Sequence, residues 1–63
     1  MKIQDGHEYE DENGVRGRAR CEQDRCLILW AEGTPQERAE IYERDGTPYT
    51  RGARPIAREI GPL

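Results

Sequence analysis

The sequence predicts an α+β fold: a three-stranded antiparallel β-meander, one packed α-helix over about 35–45, and a short C-terminal helical or extended segment. Residues 15–21 alternate strictly as Val15-Arg16-Gly17-Arg18-Ala19-Arg20-Cys21, and period two marks a strand with one buried face. Thr34-Pro35-Gln36-Glu37 has the form of a capping box with proline at the first helical position. The chain has 63 residues, of which 33% are apolar, enough for one thin core and a single domain over 1–63. Residues 1–6 and 61–63 read as loose ends.

The second strand is Cys26-Leu27-Ile28-Leu29-Trp30-Ala31, joined to the first by a polar connection over 22–25. Placing Cys21 opposite Cys26 sets Ala19 against Ile28 and Gly17 against Trp30, small residues opposite large ones. Asn13-Gly14 signals a turn before the alternating segment. A two-residue loop there would turn Glu8, Glu10 and Glu12 toward the core, which is costly. A three-residue loop, Glu12-Asn13-Gly14 with Gly14 in the left-handed region, instead sets Tyr9 against Gly17, Glu8 against Arg18 and Glu10 against Arg16. The meander then spans about 7–11, 15–21 and 26–31.

On a helical wheel over 35–45, Arg38, Ala39, Ile41 and Tyr42 share one side. Glu37, Glu40 and Glu43 share the other, an acidic surface, and Gly46 ends the helix. Ala39, Ile41 and Tyr42 would complete a core with Tyr9, Val15, Ala19, Cys21, Cys26, Ile28 and Trp30. Pro55 to Pro62 carries Ile56 and Ile60 at i,i+4 spacing and has two readings, a short helix or an extended segment. In either form it could cover the opposite sheet face.

Composition narrows the function. The chain has no serine, one histidine and two cysteines, so a Ser-His-Asp arrangement cannot be built and no enzyme is expected. Charge is blocky around a net −3, and the arginines concentrate in two stretches. No apolar run approaches the ~20 residues of a membrane span, and the N-terminus has no apolar signal core. Reduced cysteines in a cytoplasm follow as the expectation. Facing across a hairpin end, Cys21 and Cys26 could also form a disulfide, or bind zinc with His7, a weak reading without a second ligand pair. No metal or cofactor is expected.

The candidate contact surface is Arg16, Arg18 and Arg20 beside Leu27 and Leu29, all on the sheet face away from Trp30. An apolar strip framed by arginine suits a protein contact. The acidic surface of Glu37, Glu40 and Glu43 comes second. The expected function is therefore a small binding module, a regulator or inhibitor acting by protein–protein contact, with a protein partner or a second copy of the chain. The alternative is nucleic-acid binding through the arginine-lined sheet face. It loses ground if Glu8 and Glu10 sit opposite those arginines.

Overall fold

Alternation over Val15–Cys21 and the apolar run after it build the centre of a sheet. The computed structural model describes residues 1–31 and 37–63, with Glu37 described by its backbone alone. Its strands are β1 (His7–Asp11), β2 (Arg16–Glu22), β3 (Arg25–Ala31), β4 (Glu37–Glu43) and β5 (Ile56–Pro62). They form one antiparallel sheet in the order β4-β3-β2-β1-β5.

The meander has the expected registers. Tyr9 pairs with Gly17, Glu8 with Arg18 and Glu10 with Arg16. Gly14 has φ +82°, the left-handed conformation that a three-residue loop needs. Asp11 builds this turn: its Oδ1 accepts the N–H groups of Asn13 and Val15, both at 2.8 Å. Between β2 and β3, Cys21 pairs with Cys26, Ala19 with Ile28 and Gly17 with Trp30. The connection there is tighter than the sequence suggested, because Glu22 and Arg25 are themselves paired.

The α+β expectation is overturned. The described residues contain no helix, and 37–43 form β4, which pairs with β3 from Arg25↔Glu43 to Ala31↔Glu37. Thr34, Pro35 and Gln36 of the proposed capping box lie outside the described residues. The physical reason is tertiary. An isolated helix of that length is marginal in water, and a helix would leave the apolar β3 with an unpaired backbone edge. Gly46 does not cap a helix; it has φ +95° in the turn after β4, where its N–H donates to the Glu43 carbonyl at 2.9 Å.

The outer edge of β4 is closed by the segment that follows. Tyr49 and Thr50 donate their N–H groups to the Ile41 carbonyl, and the Thr50 hydroxyl accepts the Ile41 N–H at 2.8 Å. The C-terminal segment takes the extended alternative, as β5 along β1. Its pairing shifts register twice, at Glu8/Tyr9 and at Glu10/Asp11. These bulges, with Pro55 and Pro62 at its ends, blunt it as an edge strand.

The core lies on one face: Ile3, Tyr9, Ala19, Cys26, Ile28, Trp30 and Tyr42, with Val15, Cys21, Ala53 and Ile56 packed against it. Ile3 is fully buried, and its N–H donates to the Arg44 carbonyl at 2.8 Å, so residues read as a loose end supply a core side chain. Leu63, at the other end, donates its N–H to the Gly6 carbonyl. Ala39 and Ile41 are absent from the core, because period two turns them to the opposite face from Tyr42.

Cys21 and Cys26 are joined by a disulfide, not reduced as expected. Their Cα atoms lie 4.0 Å apart across the hairpin. The closed loop is short, so the chain-entropy gain is about 2 kcal/mol. Reduction, or the double variant Cys21→Ser with Cys26→Ser, should lower the denaturant midpoint by the equivalent of that amount.

Gly17 is the tightest point of the fold. A Cβ there would lie 2.6 Å from Ile28 Cγ2 and 2.7 Å from Trp30 Cε3. Gly17→Ala should therefore destabilise by about 1–3 kcal/mol through overpacking, read as a lower thermal midpoint with the disulfide intact.

Candidate functional site

Strand alternation places Arg16, Arg18 and Arg20 of β2 on the face away from Trp30, where the sequence put them. Across the sheet, Arg20 is opposite Leu27 and Leu27 opposite Ile41; Arg18 is opposite Leu29 and Leu29 opposite Ala39. Leu27, Leu29 and Ile41 are half-buried and form a contiguous apolar patch with an arginine flank. The patch floors an open trough of about 960 Å³ whose lining also includes Arg18, Arg20 and Leu63. Ile41 belongs to this site although the helical reading put it in the core. Reading 37–43 at period two would have found it.

Arg16 stands apart. It is opposite Ala31, outside the trough, and is paired with Glu10 at 3.4 Å and Glu8 at 4.0 Å. Arg58 of β5 also holds Glu10, at 2.8 Å. The hydrogen bond from Arg58, helped by Arg16, draws the Glu10 carboxyl below its ordinary pKa. At the other end of the face Arg25 is 3.8 Å from Glu43, and its guanidinium lies 3.8 Å above the Tyr49 ring. Among the described residues Arg20 carries no ion pair.

The acidic surface of Glu37, Glu40 and Glu43 does not exist as a unit. Glu40 is 1% exposed on the core face, and Glu43 pairs with Arg25 on the other. Glu37 is opposite Ala31, and its side chain lies outside the described residues. A helix would have aligned all three, whereas a strand separates neighbours that differ by an odd number of positions.

Under the core face runs a buried polar chain. Trp30 Nε1 donates to the Tyr42 hydroxyl at 3.1 Å, and that hydroxyl donates to the Arg54 carbonyl at 2.6 Å. Glu40 Oε1 accepts the Arg54 N–H at 2.9 Å, and Arg38 Nε lies 3.1 Å from Glu40 Oε2. Arg54 Nη1 donates to Asp11 Oδ2 at 2.8 Å. Burial raises the Tyr42 hydroxyl above its ordinary pKa, and the nearby Glu40 carboxylate adds to this. Most of these groups are spent on one another, a structural role, while Glu40 Oε2 and Arg54 Nε are buried without a hydrogen bond.

Among the described residues the Cys–His pair that the sequence allowed is not assembled as a nucleophilic site. Both thiols are in the disulfide, and His7 Nδ1 sits 3.1 Å from Glu59 Oε2, whose other oxygen accepts from Tyr9. Disulfide formation also removes both thiolates from the zinc reading of Cys21, Cys26 and His7. The described residues hold no group of three or more potential metal ligands, and they contain no helix long and apolar enough to cross a membrane. Comparison with protein-family models, curated proteins and solved structures finds no match.

Asp11 gives the fold a defined acid dependence. Burial alone would raise its pKa, but the Val15 N–H, the Arg54 guanidinium and the Asn13 N–H outweigh it and hold the carboxyl below the ordinary value. A folded pKa below the unfolded one means the stabilisation is complete above the unfolded value, about 3.9, and is lost as pH falls through the folded one. The thermal midpoint should thus drop on acidification below about pH 4. Asp11→Asn, which keeps an acceptor for the turn, should start lower and vary less with pH over that range.

Proposed function

We propose that the chain is a small non-enzymatic binding module, a regulator or inhibitor acting by protein–protein contact through the open face of β2, β3 and β4. One observation carries this reading. Leu27, Leu29 and Ile41 stand side by side on that face beside Arg18 and Arg20. The C-terminal segment expected to cover them lies along β1 instead. A half-buried apolar patch framed by arginine has the composition of a protein contact.

Support for the nucleic-acid reading weakens in parallel. Glu8 and Glu10 are opposite Arg18 and Arg16, and Arg16 and Arg58 are held by carboxylates. A phosphate backbone would have to displace those partners and approach a chain of net charge −3. The cytoplasmic setting is expected from an N-terminus without an apolar signal core, and the Cys21–Cys26 disulfide departs from the reduced thiols that such a setting implies.

A photoreactive phenylalanine analogue at position 29, compared with one at exposed position 51, tests the reading in the source cell. Discrete adducts that protease removes should come from position 29 and not from 51. Nuclease-sensitive adducts, equal labelling from both positions, or none from 29 would overturn it. Duplex and single-stranded DNA should not bind at ~50 mM salt, where phosphate contacts are strong.

A further inference from the structure

The tip of the hairpin between β1 and β2 carries a chemistry of its own, independent of the open face. We propose that Asn13-Gly14 is a self-modification site, where the Gly14 backbone nitrogen attacks the Asn13 carboxamide and a succinimide forms. The bond from the Gly14 nitrogen to Asn13 Cγ forms as the bond from Cγ to the amide nitrogen breaks. The proton lost from the Gly14 nitrogen leaves with that amide as ammonia. Water then opens the ring at either carbonyl. One opening gives an ordinary aspartyl residue; the other gives isoaspartyl, with the main chain routed through the side chain of residue 13. Nothing is oxidised or reduced, and water is the co-reactant.

The chain has one asparagine, and it precedes a glycine, whose nitrogen no Cβ shields. Two aspartates also precede glycines, in Asp5-Gly6 and Asp45-Gly46. Their surroundings set them apart. Asp5 Oδ1 accepts the Cys21 N–H at 2.7 Å, and Asp45 Oδ1 accepts the Thr47 N–H at 2.9 Å. Asn13 is exposed, and its carboxamide makes no hydrogen bond among the described residues. A neutral carboxamide is also a better electrophile than a carboxylate. The attacking nitrogens differ in the same sense. The Gly6 and Gly46 N–H groups donate at 2.9 Å to the Ala19 and Glu43 carbonyls, whereas Gly14 donates to the Asp11 carbonyl at 3.2 Å. A Cβ built on Gly14 would meet nothing within 4 Å, so no neighbour packs over it; one on Gly46 would meet the Met1 carbonyl oxygen at 3.4 Å.

The isoaspartyl product matters because this loop sets a register. Gly14 at φ +82° closes the turn that places Tyr9 opposite Gly17. Asp11 Oδ1 holds the N–H groups of Asn13 and Val15, which flank the bond that is remade. An extra main-chain atom between them lengthens the loop and draws the Val15 N–H off its acceptor. The product also adds a negative charge to a tip that already carries Asp11 and Glu12.

The test keeps the whole chain, with its disulfide intact, in heavy-oxygen water at body temperature and neutral pH. Mass spectrometry with fragmentation locates the label, because each ring opening adds one oxygen from water. A guanidinium-unfolded sample gives the unrestrained rate. Label should enter residue 13 of the folded chain first, ahead of Asp5 and Asp45, as a mixture of aspartyl and isoaspartyl forms with ammonia released. Asn13→Gln should lose the label at that position. The isoaspartyl form, separated by ion exchange and reversed-phase chromatography, should have a lower thermal midpoint than the Asn13→Asp chain, which carries the same charge on an ordinary backbone.

No label at residue 13 of the folded chain once the unfolded sample is fully labelled would overturn the proposal. So would equal entry at Asp5 or Asp45, or a product with aspartyl alone, which needs no ring. Equal midpoints for the isoaspartyl and Asn13→Asp chains would reject the effect on the loop.

Discussion

A chain of 63 residues with one tryptophan has to bury that indole, and the fold depends on the space opposite it. Gly17 provides the space. Trp30 and Ile28 occupy the volume that a methyl group at position 17 would need. With the indole seated there, β2 and β3 are locked in one register, because a slip of one residue would put an arginine under the ring. The disulfide then pins the turn end of the same pair.

Burying Trp30 also buries its N–H, which must find an acceptor. Tyr42 supplies it, with its ring edge-on to the indole at 6.4 Å. For Tyr42 to face Trp30, residues 37–43 must run as a strand beside β3, and this brings Glu40 into the interior with it. A buried carboxylate needs partners. The backbone N–H of Arg54 and the Arg38 guanidinium provide them, and the Arg54 side chain reaches Asp11 in the first turn. In this way the segment before β5 is tied to the first hairpin through a chain of polar contacts that starts at the indole.

The same alternation that fills one face exposes the other. Every strand that sends Trp30, Ile28 or Tyr42 inward sends Leu27, Leu29 or Ile41 outward. On β1, β2 and β5 the outward side chains are mostly charged and largely pair with one another. At the centre of β3 and β4 they are apolar, beyond the Arg25–Glu43 pair, and the described chain offers Leu63, 72% exposed, as a neighbour but no covering element. The asymmetry between a satisfied charged half and an unsatisfied apolar half is what makes this face a candidate for recognition.

Residues 7–31 contained their own structure. Strict alternation, Asn13-Gly14 and the match of small to large residues determined three strands, two registers and the loop at Gly14. They also placed Arg16, Arg18, Arg20, Leu27 and Leu29 on one face. These signals are local or lie between neighbouring strands, so pattern and sterics suffice. Residues 37–43 contained no such answer. Glu-Arg-Ala-Glu-Ile-Tyr-Glu is rich in good helix formers and fits a helical wheel. What made it a strand is the unpaired edge of β3 and the indole N–H in need of an acceptor, demands set by distant residues. The tertiary structure likewise decided that Ile3 enters the core, that β5 pairs with β1, and that Ile41 joins the open face. Those outcomes depend on which edges and which buried polar groups remain unsatisfied once the central hairpins are in place.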